Sequence, residues 1–113
     1  MYFCTIEKKM TVSEVRELIV QKQGVVLYFK NDKCGPCMVL RPKVESLIKE
    51  EFPKMNFQIV DIVDTPILAS EYNVFANPTI LVFFEGKEYI RKSKYIGTLE
   101  LAQEISRIYK MVF

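Results

Sequence analysis

Apolar residues along the chain either recur at helical spacing or run together without a break. Val12, Val15, Leu18 and Ile19 recur every three or four positions behind a Thr11/Glu14 capping box, which predicts an amphipathic helix over residues 11–22. Gly24 ends it. Val25–Phe29, "VVLYF", is continuously apolar, β-branched or aromatic, as expected of a strand buried on both faces, here placed at 25–30. Leu40, Val44, Leu47 and Ile48 form a second helical stripe and predict a helix over 35–51. Pro42 should kink it, because proline removes a backbone donor and crowds the preceding turn. "NFQIVDIV", residues 56–63, reads as the next strand, and Asp64-Thr65-Pro66 as a cap with proline opening a short helix over 66–72.

"TILVFF" and "EYIRKSKYI" flank "EGK" and should pair as an antiparallel hairpin. Thr98 should cap a last helix whose buried stripe is Leu101, Ala102, Ile105, Ile108 and Tyr109. With residues 2–6 as a short first strand, strands and helices alternate before the hairpin. That order predicts an α/β fold, with parallel strands joined by crossover helices and an antiparallel edge.

Composition narrows the picture. The 113 residues suit a single domain spanning 1–113, half of them apolar and 27% charged, as in an ordinary globular protein. The longest apolar run, such as Ile80–Phe84, is five residues, far short of the ~18 that cross a bilayer. "MYFCTIEKKM" has no positive stretch ahead of a long apolar block, so no secretory signal is expected and a cytoplasmic protein is. Sixteen cations against fourteen anions give too little charge to suggest a nucleic-acid or membrane partner. The "RKSKY" cluster, Arg91–Tyr95, is better read as cations guarding a solvated strand edge than as a phosphate site.

The chain has no histidine, which excludes Ser-His-Asp and Cys-His nucleophilic catalysis, His-ligated zinc and histidine acid–base chemistry. It has three cysteines: Cys4, Cys34 and Cys37. Cys4, in the short first strand, reads as a small buried hydrophobe.

Cys34 and Cys37 stand two residues apart in "NDKCGPCMVLRP", residues 31–42. That spacing serves a redox couple, half of a metal site, or two structural thiols. A zinc site lacks a second ligand pair, and Gly35-Pro36 between the cysteines is hard to explain as core packing. The redox reading fits best. Cys34 ends a loop after a buried strand, and a helix opens at Gly35 or Pro36. The unpaired amides and positive dipole end of that helix would hold Cys34 as a thiolate, with Lys33 adjacent. Cys34 is then the attacking group, and Cys37, one turn in, the resolving one.

These residues resemble the thioredoxin family along nearly the whole chain. The likeness covers "VVLYF", CGPC with Pro42 five residues after Cys37, Val60–Thr79 ("VDIVDTPILASEYNVFANPT"), "FFEGKE" and "YIGTLE". The resemblance implies the thioredoxin fold, a central mixed sheet of four or five strands flanked by about four helices. It implies a cis Asn77–Pro78 bond, pairing of a substrate backbone with Asn77, and a substrate groove completed by Ile96 and Gly97. It also implies reduction of protein disulfides by a cofactor-free monomer, with a reductase or small dithiol as electron donor.

The sequence departs from the family at several positions. The usual tryptophan before the first cysteine is Lys33, the buried aspartate six residues before it is Tyr28, and that aspartate's lysine neighbour is Ile59. Asn77 stands where an apolar residue is common. Losing both members of a buried ionic pair is coherent, because one charge left alone costs several kcal/mol. A weaker proton relay for Cys37 is expected. The same departures motivate an alternative, a thioredoxin-fold protein-binding module with incidental redox activity.

Overall fold

The computed structural model describes residues 5–6, 9–31 and 35–113, the side chains of residues 5, 6 and 35–37 excepted. Cys4, Lys33 and Cys34 lie outside the described residues. The elements run β1 (Thr5–Ile6), α1 (Val12–Gln21), β2 (Gly24–Lys30), α2 (Gly35–Glu51), β3 (Asn56–Asp61), α3 (Pro66–Glu71), β4 (Thr79–Phe84), β5 (Lys87–Ser93) and α4 (Thr98–Val112). This is a thioredoxin fold.

The strands form one sheet in the order β1-β3-β2-β4-β5. β1 and β2 each pair parallel with β3, and β4 pairs antiparallel with both β2 and β5, so the sheet is mixed. Alternation along the strands divides the core into two layers. Val26, Tyr28, Phe57, Ile59, Ile80, Val82 and Phe84 face α2 and α4, where they meet Val44, Ile48, Leu101 and Ile105. Val25, Leu27, Phe29, Val60, Leu81 and Phe83 face α1 and α3, against Val15, Ile19 and Leu68. Because both faces are covered, β2 from Val25 to Phe29 and all of β4 are buried, which is why these strands are unbroken apolar runs.

Local chemistry fixes the helix ends. The capping box forms as read: Glu14 N donates to Thr11 Oγ1 at 3.1 Å and Thr11 N donates to Glu14 Oε1 at 2.9 Å. α2 continues through Pro42. Several sequence expectations are corrected. Thr65 is the cap of α3 and Pro66 opens it, as read, but the side chain that shapes the turn is that of Asp61 and not Asp64: Asp61 Oδ1 accepts from Val63 N at 2.9 Å, and Asp61 O accepts from Thr65 Oγ1 at 2.8 Å. β3 therefore stops at Asp61, two residues early.

In the hairpin the turn is only Glu85-Gly86, both at positive φ (51° and 83°), and Lys87 pairs with Phe84 as the first residue of β5. Two positive φ values give the turn a twist that matches the flanking strands. The cap of α4 is Gly97, with Thr98 inside the helix as its first residue. Gly24, expected to end α1, instead opens β2, where a side chain would collide with Met55.

Candidate functional site

Strand register gathers the site. Phe29 near the end of β2 pairs with Thr79 at the start of β4, and Thr79 pairs with Ser93 at the end of β5. Everything just beyond these three positions shares one rim of the sheet. The Cys-x-x-Cys segment follows β2, Asn77 and Pro78 precede β4, and Lys94–Gly97 follow β5. A hydrogen bond fastens the last two together, with Lys94 N donating to Pro78 O at 2.9 Å.

Gly35, Pro36 and Cys37 form the first turn of α2, so the chain position of Cys34 directly precedes the helix. The opening turn of a helix leaves amides without intrahelical acceptors, which is the environment that lowers a thiol pKa. The Asn77–Pro78 peptide is cis, as the family resemblance implies. Pro78 is buried, and Thr79 Oγ1 donates to Ala76 O at 2.6 Å, closing the turn before β4. Asn77 is half-buried, and its Oδ1 is shielded from solvent without a hydrogen-bond partner among the described residues. Ile96 packs against the α2/α4 layer of the core while Gly97 lies exposed. Among the described residues, a Cβ on Gly97 would meet only Glu100 Cβ, at an ordinary 3.9 Å. Packing among those residues does not require a glycine there.

Val39, Leu40 and Lys43 of α2 face Lys94, Tyr95, Ile96 and Gly97 across a shallow open groove of about 440 Å³. Of these residues, reading the sequence picked out only Ile96 and Gly97 as substrate-binding. Its one hint of the rest was the "RKSKY" cluster, which the structure divides. Arg91 is engaged by Glu88 at 2.9 Å and by the carbonyls of Tyr72 and Asn73 at 2.8 and 3.1 Å. Lys92 lies 2.9 Å from Glu100 and 2.7 Å from Glu104, and these two contacts raise its pKa, Glu104 first. Lys94 and Tyr95 lie beyond the strand and line the groove.

Below the rim, Tyr28 is fully buried and pairs in register with Ile59 and Ile80. Burial pushes its phenol up to about 12, with Arg41 pulling the other way. The position where the family has a carboxylate is therefore neutral at ordinary pH, and Ile59 beside it is apolar. Among the described residues, no group of three or more His, Cys, Asp or Glu side chains gathers as a metal ion would need, and no helix is long and apolar enough to cross a membrane.

A mixed sheet between two helical layers, with a Cys-x-x-Cys segment and a proline turn on one rim, defines a class of redox folds. The thioredoxin family model matches residues 7–110, and the chain belongs to the thioredoxin family. Thioredoxin-1 of Saccharomyces cerevisiae is 36% identical over 78 residues, covering 69% of this chain and 75% of the yeast protein. The mitochondrial Thioredoxin-3 of the same yeast is 32% identical over 102 residues, 90% of this chain and 77% of its own. The crystal structure of thioredoxin from Trypanosoma brucei brucei superposes with a TM-score of 0.82 at 26% identity, over 97% of this chain and 95% of that one. These relatives support a thiol–disulfide redox role in general terms.

Proposed function

We propose that the protein reduces protein disulfides by dithiol–disulfide exchange through Cys34 and Cys37. The Cys34 thiolate attacks one sulfur of the substrate disulfide, forming a mixed disulfide and releasing the other substrate sulfur as a thiolate. Cys37, deprotonated, then attacks Cys34 sulfur; the mixed bond breaks, the substrate leaves as a dithiol, and the Cys34–Cys37 disulfide remains. Two electrons pass to the substrate. An external dithiol or a reductase returns them to the protein. Such a couple would work in a reducing compartment such as the cytoplasm.

The observation that supports this most is the shared rim. The register Phe29–Thr79–Ser93 brings the motif segment, Asn77-Pro78 and Ile96-Gly97 to one edge, so a bound chain can lie across the latter pairs while its disulfide meets the former. Asn77 would pair with that chain through its backbone, a form of strand addition. Lys33 would put a cation beside the reacting sulfur.

Insulin reduction with dithiothreitol as donor tests the proposal. Wild type should precipitate the insulin B chain well above the dithiothreitol background, and Cys34→Ser should fall to that background. Equal rates for the two proteins would remove the reductase reading and leave the protein-binding one.

A further inference from the structure

The groove beside the motif has a charge pattern that disulfide exchange itself does not use. Two ammonium groups line it, Lys43 from α2 and Lys94 from the segment after β5, and among the described residues no carboxylate does. Both lysines are exposed, and neither forms an ion pair among the described residues. Among the described residues, the carboxylates nearest in the chain or the fold are already engaged. Glu100, whose Cβ approaches Gly97, holds Lys92, as does Glu104. Glu45, two residues from Lys43, lies 4.0 Å from Arg41 Nε. A chain with a net charge of only +2 thus presents, among its described residues, two cations without a paired carboxylate at this place.

The rest of the described lining, Gly97 apart, is apolar or aromatic: Val39, Leu40, Tyr95 and Ile96. Tyr95 is 99% exposed and Val39 61%. Contiguous exposed apolar side chains mark surfaces that bind partners. Lys94 also sits at φ 64°, a left-handed conformation that costs a lysine roughly 1 kcal/mol. Its amide is bonded to Pro78 O, so the charged wall is tied to the turn that a substrate chain would cross.

Resting on the reductase reading above, we propose that this groove selects extended protein segments in which an aromatic or aliphatic residue lies beside acidic residues near the disulfide. The apolar side chain would lie on Val39, Tyr95 and Ile96. The acidic ones would meet Lys43 and Lys94. Opposite charges across an interface steer encounter and set the register of docking more than they add affinity, which suits a protein that must release each substrate after reduction.

Two disulfide peptides, identical except that Asp and Glu or Lys flank a Phe beside the cystine, provide the test. Serine-for-cysteine versions of both measure docking separately from turnover. Wild type should bind the acidic version more tightly, and reduce the acidic disulfide faster, by roughly tenfold at low salt. The preference should shrink toward unity at about 1 M salt, where the screening length falls to ~3 Å.

Lys43→Glu/Lys94→Glu should invert the preference, and Lys43→Gln/Lys94→Gln should abolish it. Circular dichroism checks that these surface variants are folded. Equal binding of the two peptides, or a preference that survives in both variants, overturns the inference. A concentration-dependent dimer abolished by the charge reversal would assign the groove to a second copy of the chain and overturn it too. If the acidic peptide binds selectively but no disulfide is reduced, the reductase reading fails and the docking surface stands.

Discussion

Leu81 and Tyr95 lie in neighbouring parts of the fold and meet opposite conditions. Leu81, in the middle of β4, pairs in register with Leu27 and is fully buried against the α1/α3 layer. Tyr95, two residues past the end of β5, is an aromatic side chain almost wholly in water. In the sheet interior apolar surface stabilises the fold. At the rim it is left exposed, next to lysines that form no ion pair among the described residues, where folding gains little from it. The contrast separates the residues this sequence needs in order to fold from those it keeps for contact with something else.

Three measurements can break or sharpen that division. The largest effect belongs to Leu81→Ala, which leaves a cavity between packed layers and should lower unfolding free energy by about 4 kcal/mol, read from urea midpoints. A loss below about 1 kcal/mol would mean that the interior is far looser than its burial indicates.

Tyr28→Phe should change how stability depends on pH only in the alkaline range. Because burial raises this phenol from 10 to about 12, the folded chain holds a proton there that the unfolded chain releases. Wild type should therefore lose stability as pH climbs from 10 toward 12, by at most about 3 kcal/mol more than the phenylalanine variant does. Parallel stability curves for the two proteins would contradict a neutral, desolvated Tyr28.

Smallest of all, Tyr95→Ala should change stability by less than about 0.5 kcal/mol, as surface substitutions usually do. It should nevertheless raise KM for a protein disulfide. Destabilisation by more than about 1 kcal/mol would return Tyr95 to the fold.

Much of this was legible in the sequence, where local chemistry and tertiary packing agree. "VVLYF" announced a strand covered on both sides, and the Thr11/Glu14 box set the start of α1, because each depends on side chains within a few residues of one another. The hairpin made the rim legible too: once "TILVFF" pairs with the following strand, Pro78 and Lys94 must come together. Thr98 misled because a hydroxyl is the usual cap, yet the extended backbone belongs to Gly97, whose carbonyl accepts from Leu101 N at 3.0 Å. "EGK" misled by one residue because the glycine was visible and the positive φ of Glu85 was not. The groove was the least legible part. Lys43 and Lys94 share it only because of how α2 sits against the segment entering α4, and no local pattern in the chain encodes that packing.

Lys94 bears on how this surface can be altered. Among the described residues, three non-glycine residues have positive φ, and one of them, Asn73, is a residue type suited to that conformation. Lys94 is not. Replacing it by asparagine would relieve backbone strain while deleting one of the groove's two cations. A search for sturdier variants would thus favour a change at position 94 that makes the protein less selective. Robustness and discrimination pull against each other at a single residue, and selection schemes that reward one should erode the other.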